Sequence, residues 1–184
     1  MDYYLDIEVL PFDEFSEGSL LSTAFGRVHH ALARLGRGRI GISFPRHGIT
    51  LGNILRLHGT FEELEMLRNA PELRGLLDYV RVIPTSKVPS NVSYRRVRRR
   101  QVKSSADRLR RRSIKNGRLN ETEAMRKISE DKEQRLSLPF VTIKSSSTGE
   151  VFKLFIDHGE ELEEPAEGMF SAYGLSVTAT IPWF

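Results

Sequence analysis

Along residues 3–10 apolar and polar side chains alternate, the two-residue period of a half-buried strand. Over residues 19–35 the period changes. Leu21, Ala24, Phe25, Val28, Ala31, Leu32 and Leu35 recur at three- and four-residue steps, which predicts an amphipathic helix stopped by Gly36 and Gly38. Residues 39–44 and 53–58 read as strands around a loop holding Pro45 and Gly48. Thr60 and Glu63 then have the spacing of a capping box that opens a second helix. Pro71 interrupts this helical region before Leu73, Leu76 and Leu77 resume it, and residues 79–83 return as a strand ended by Pro84.

The order strand, helix, strand, strand, helix, strand is the ferredoxin-like βαββαβ arrangement, an antiparallel sheet with two helices on one face. Pro84, Pro89 and the polar run 90–93 mark a boundary, giving domains over 1–90 and 91–184. Beyond it, residues 94–103 look extended. Ser104-Ser105-Ala106-Asp107 has capping-box spacing for a helix that Gly117 ends, and a second, acid-rich helix covers 121–128 with room to reach Leu136. Residues 138–147 and 151–158 form a β-hairpin across Thr148-Gly149, residues 160–167 an acidic solvent loop, and residues 170–175 and 181–184 possible last strands, with Pro182-Trp183-Phe184 as a packing plug. The expected class is α+β throughout.

Charge changes this picture more than composition does. Residues 94–118 carry twelve Lys and Arg against one acid, Asp107, so this segment is +11 within a chain whose net charge is +4, and the remainder is −7. Such a stripe seeks a polyanion, because neutralising phosphates releases counterions. Arg108, Arg111, Arg112 and Lys115 follow at i, i+3, i+4 and i+7, one helical face of four cations, whose plainer reading is a solvated surface helix.

The absence of cysteine excludes disulfides and thiolate metal sites, and the five histidines form no His-Glu-x-x-His pair, so neither metal nor cofactor is expected. No Walker-type loop or Gly-x-Ser-x-Gly elbow is present. No run reaches the ~18 apolar residues of a membrane span, and residues 1–4 lack a leader pattern, so a cytoplasmic protein with no membrane or small-molecule partner is expected. Acid/base chemistry remains. His29 borders the apolar stripe, where a lone histidine is more often a packing residue. An RNA substrate raises its interest, since RNA brings its own nucleophile, the 2′-hydroxyl, and asks of the protein a base near neutral pKa and hydrogen-bond donors. Nearby arginines should disfavour its imidazolium, while bound phosphate should favour it. Ser145-Ser146-Ser147 at the hairpin tip offers hydroxyls or simply a turn. Tyr173 and Phe152 are either core or stacking faces for bases.

Several segments, from first residue to last, resemble one family: 1–7 (MDYYLDI), Phe25-Gly26-Arg27-Val28-His29, Arg108-Leu109-Arg110-Arg111-Arg112, Leu138-Pro139-Phe140-Val141-Thr142, Ser147-Thr148-Gly149 and Pro182-Trp183-Phe184. It is the type I-F CRISPR-associated repeat-processing endoribonuclease, the Csy-type member of the Cas-six superfamily. The resemblance implies a ferredoxin-like domain and an RNA-binding domain with an arginine-rich helix and a β-hairpin. It implies metal-independent cleavage of the repeat hairpin in precursor RNA, leaving a 2′,3′-cyclic phosphate and a 5′-hydroxyl, and retention of the hairpin in a surveillance complex with other type I-F proteins, the free protein being a monomer. By position, His29 would be the general base, Ser145 would hold the 2′-hydroxyl, and Ser147 and Tyr173 would be neighbouring site residues, the tyrosine helping to orient the histidine. Arg99 and Gln101 would read base-pair edges, Phe152 would stack on the terminal pair, and Arg108, Arg111, Arg112 and Lys115 would hold phosphates. The chain departs from the family pattern at Asn116-Gly117, where more basic residues are usual, and at 175–179, where a glycine-rich turn is. The alternatives are a non-catalytic subunit that binds the guide-RNA hairpin and, less favoured for want of a helix-turn-helix pair, a DNA-binding regulator.

Overall fold

A computed structural model of the chain describes residues 1–35, 38–76, 78–101, 106–128, 137–145 and 148–184. The first sheet is built from β1 (Tyr3–Val9), β2 (Gly41–Ser43), β3 (Ile54–Gly59), β4 (Val80–Val82) and β5 (Ser86–Lys87). Its order is β2-β3-β1-β4, with β5 continuing along the same edge of β1 that β4 occupies, and every pairing is antiparallel. With α1 (Glu17–Leu35) between β1 and β2, and α2 (Phe61–Arg68) between β3 and β4, this is the ferredoxin-like connectivity. Pro84 separates the last two strands, and β5, at two residues, is too short to leave a periodic signal. Residues 71–76 form a 3-10 helix rather than a resumed α-helix.

The helical stripe makes the core. Leu21, Ala24, Phe25, Val28 and Ala31 of α1 are buried with Leu5 and Ile7 of β1, Leu55 and Leu57 of β3, and Leu64 and Leu67 of α2. Thr60 caps α2 by accepting from the Glu63 amide at 3.3 Å.

A second sheet, ordered β7-β8-β6-β9, comprises β6 (Ser93–Arg100), β7 (Phe140–Lys144), β8 (Val151–Leu162) and β9 (Ile181–Trp183). Both sheets belong to one compact unit, residues 1–100 and 138–184. Arg100 at the end of β6 and Phe140 at the start of β7 both pair with Phe155, from opposite edges of β8. The chain between them forms a second unit, residues 101–137, holding α3 (Ala106–Lys115) and α4 (Glu121–Lys127). Within it, Gly117 at φ +65° ends the first helix turn-out, and Asn120 with Glu123 makes a full capping box for α4. Arg110 Nε donates to the Ile128 carbonyl at 3.0 Å and ties α3 to the end of α4.

Two expectations are corrected. Residues 160–162, read as loop, extend β8, because Glu161 lies opposite Arg95 of β6 and pairs with it. Residues 170–175 are not a strand. They turn back on themselves through Ser171 N to Leu175 O (2.9 Å) and Gly174 at φ +67°, where a Cβ would come within 2.5 Å of Ile42. Strand β6 ends at Arg100, and residues 102–103 of the expected extended segment lie outside the described residues. The expected capping box at 104–107, and helix beyond residue 128, fall wholly or partly outside the described residues.

Two histidines are held neutral inside this unit. His58 is fully buried with Nε2 at 2.8 Å from Ser43 Oγ, and His158 Nε2 accepts from the Phe44 amide at 3.2 Å beneath the stacked ring of His47. Burial, helped by the Arg56 charge for His58 and by His47 and Arg95 for His158, pushes each pKa down to about 3. Their folded values lie below the unfolded value of 6.5, so the unfolded chain binds more protons and stability falls as pH drops below 6.5. Urea unfolding at pH 5.5 should show about 1.4 kcal/mol less stability per histidine than at pH 7.5. A flat profile across that window would mean that these rings are not neutral-only in the fold.

Candidate active site

Phe25 and His29 stand four residues apart on α1 and therefore share a face. Tyr173 covers both. Its ring is parallel to Phe25 at 6.3 Å and stacks on His29 at 4.0 Å with 16° between planes. The Tyr173 backbone is fixed by the turn described above, its amide donating to Ser171 Oγ at 3.3 Å. From the same turn the Ala172 carbonyl lies 2.8 Å from His29 Nδ1. A carbonyl can only accept, so Nδ1 carries the proton and the neutral ring keeps the lone pair of Nε2.

The pKa of His29 is lowered, first by burial and further by the neighbouring His30, while the Ala172 bond opposes them. The electrostatic neighbour is thus His30 rather than the arginines expected to act there. A half-buried, stacked imidazole of fixed tautomer is a base in its working form near neutral pH.

Arg99 sits over the rings of Phe152 (5.5 Å) and Tyr173 (5.8 Å), so His29, Tyr173, Arg99 and Phe152 form one continuous cluster. Among the described residues Arg99 makes no ion pair and its buried Nε has no hydrogen-bond partner. Its neighbours differ. Arg98 and Arg100 both bind Asp157, and Arg95 binds Glu161. The basic stripe is therefore partly neutralised across the strands, by acids that a count along the segment leaves out.

Ser145 follows β7, the strand tied to α1 by the Thr142 amide donating to Ser22 Oγ at 3.0 Å. Its Oγ accepts from the Thr148 amide at 3.3 Å, and Gly149 at φ +71° closes the hairpin. Ser147 lies outside the described residues. In the second unit, Gln101 is exposed, and Arg111, Arg112 and Lys115 are exposed on α3, which includes Arg108, whose side chain is outside the description. The helix ends at Lys115, before Asn116-Gly117.

Sequence reading missed the Ala172 carbonyl, a backbone atom 143 residues from His29, which leaves no side-chain signal. It also missed Phe25 as the floor under Tyr173, since its place in the apolar stripe marked it only as core. Among the described residues, no helix is long and apolar enough to cross a membrane, and no three His, Cys, Asp or Glu side chains converge as metal ligands.

The family model for the CRISPR-associated protein Cas_Csy4 matches residues 4–184. A CRISPR-associated endonuclease Cas6/Csy4 of Escherichia coli (strain UTI89 / UPEC) is 47% identical over 184 residues, covering 100% of both chains. One of the same name from Pseudomonas aeruginosa (strain UCBPP-PA14) is 43% identical over 187 residues, again covering 100% of both. With residues 4–184 matched by the family model and both relatives matched over their whole length, the chain belongs to the Cas_Csy4 family of CRISPR-associated proteins.

Proposed function

We propose that this chain is a CRISPR RNA-processing endoribonuclease that cuts the repeat hairpin of precursor RNA without a metal. The observation that carries the reading is the His29 imidazole, fixed by Ala172 O and Tyr173 with Nε2 free to take a proton. The 2′-hydroxyl gives its proton to Nε2 while its oxygen bonds to the adjacent phosphorus. The bond from phosphorus to the 5′-oxygen breaks, and that oxygen takes a proton from water. The products are a 2′,3′-cyclic phosphate and a 5′-hydroxyl. Ser145 holds the 2′-hydroxyl in line, Ser147 is a further residue of the site, and Tyr173 holds the base. The full name shared by two relatives supports this reading.

Arg99 and Gln101 read the lowest base pairs and Phe152 stacks on the terminal one. An A-form major groove is deep and narrow, so a short stem, open at its loop and base, is what admits the helix face of Arg108, Arg111, Arg112 and Lys115. That face supplies salt-sensitive affinity rather than discrimination. Removing Arg112 or Lys115 should therefore weaken binding alike for all hairpin sequences and lower the slope of log affinity against log salt by about 0.7 to 0.9 each. A salt titration checks this, and an unchanged slope would take those side chains off the phosphates. The cut hairpin stays bound as part of a type I-F surveillance complex.

The deciding test is cutting of a short repeat hairpin in EDTA beside the same RNA with a 2′-deoxy nucleotide 5′ of the scissile phosphate. Cutting of the native RNA alone, with a cyclic phosphate end, is the expected result. Tight binding without cutting would make the chain a guide-RNA-binding subunit.

A further inference from the structure

On α1, Ser19, Thr23, Arg27 and His30 recur at four-, four- and three-residue steps and share a face beside the buried stripe. An open groove of about 850 Å³ runs along that face, bounded on the other side by Thr142 and Lys144 of β7. From Ser19 to His30 it follows the helix for about 17 Å.

Three observations give this groove a ligand. Its lining holds the chain neighbours of two candidate residues, His30 after His29 on one wall and Lys144 before Ser145 on the other. Arg27 and Lys144 are exposed and make no ion pair among the described residues, whereas Arg34, Arg56, Arg81, Arg95, Arg98 and Arg100 each bind an acid. The acid in the groove lining is Glu17, at the far end of α1. Finally, Gly26 lies in mid-helix within the lining, and a Cβ there would meet no atom within 4 Å. A helix-interior glycine costs about 1 kcal/mol relative to alanine, and no packing inside the protein calls for it. A chain lying against bare helix backbone would.

We propose that this groove binds the single strand of RNA continuing 3′ of the scissile phosphate, with Arg27 and Lys144 on its backbone phosphates and Gly26 leaving room for a sugar. The inference rests on the endoribonuclease reading and extends it to the strand that departs. These are backbone contacts, so the site is indifferent to sequence. It acts only while the flank is joined to the hairpin, so it favours uncut RNA over product and lets the severed strand go.

The test uses hairpins made uncleavable by the 2′-deoxy nucleotide, with no flank, with a 3′ flank of about six nucleotides, or with a 5′ flank of that length. Binding to the full chain is compared with binding to an Arg27→Ala/Lys144→Ala variant and to Gly26→Leu. The 3′ flank should tighten binding to the unaltered protein about tenfold at low salt, with a salt slope steeper by about 1.4, as two single-strand phosphate contacts give. Both variants should lose that gain. Leucine favours helix over glycine, so a thermal melt of Gly26→Leu no lower than that of the parent assigns its loss to the ligand. No gain from the 3′ flank, an equal gain from the 5′ flank, or a gain that survives in both variants would overturn the site. Cutting of a native hairpin with a single nucleotide 3′ of the scissile phosphate reports on the enzyme reading separately. If that cutting fails, the titration still decides the groove, since it needs no cleavage.

Discussion

Replacing His29 with alanine is expected to slow cutting of the repeat hairpin by about a hundred- to ten-thousandfold, the range of a lost general base. Hairpin affinity should stay unchanged, because the imidazole offers the RNA no charge near neutral pH. Single-turnover cleavage with a parallel binding titration checks both halves. The sign of the pH dependence follows from the same ring. Nε2 accepts a proton only while the ring is neutral, so the rate should rise with pH and level off below the ordinary histidine value of 6.5, since burial lowers the pKa of His29. A variant that cuts at the parent rate would remove His29 from the chemistry. A rate still rising well above neutral pH would point to a group of higher pKa as the base.

The second large effect concerns the fold. Asp6→Ala should destabilise the protein by about 3–5 kcal/mol. Asp6 and Arg56 face each other across β1 and β3, joined by two bonds of 2.8 and 2.9 Å, with both side chains largely buried. Arg56 also donates to the Phe184 carbonyl at 3.1 Å and lies over the Tyr4 and Phe184 rings at 4.6 and 4.2 Å. Deleting the carboxylate strands a guanidinium that water cannot fully reach. The double change Asp6→Leu/Arg56→Met removes both charges and should recover most of the loss, and urea midpoints of the three proteins test this. If the single and double variants are equally unstable, the penalty comes from lost volume rather than from unpaired charge.

Where side chains carried the information along one element, the sequence was readable. The stripe from Leu21 to Leu35 defines α1, and Thr60 marks the start of α2. Failure came where a partner elsewhere decides the outcome. Glu160 and Glu161 look like solvent loop until Arg95, 66 residues away, is laid opposite. Residues 170–175 carry strand-like apolar side chains, yet Gly174 in the left-handed region folds them into the turn that presents Ala172. The cluster followed the same division. His29, Tyr173, Arg99 and Phe152 were each candidates by type or by family resemblance, whereas their stacking, and the carbonyl that sets the tautomer, depend on contacts spanning most of the chain.

Because Arg100 and Phe140 flank the same residue of β8, they stand two strand spacings apart, about 10 Å. Residues 101–137 thus leave and re-enter the sheet through neighbouring doors, and a linker of about five residues could close the gap. The arginine-bearing helices are an insertion between two adjacent points of the sheet, and on the proposed reading the grip on RNA could evolve on a clock separate from the chemistry.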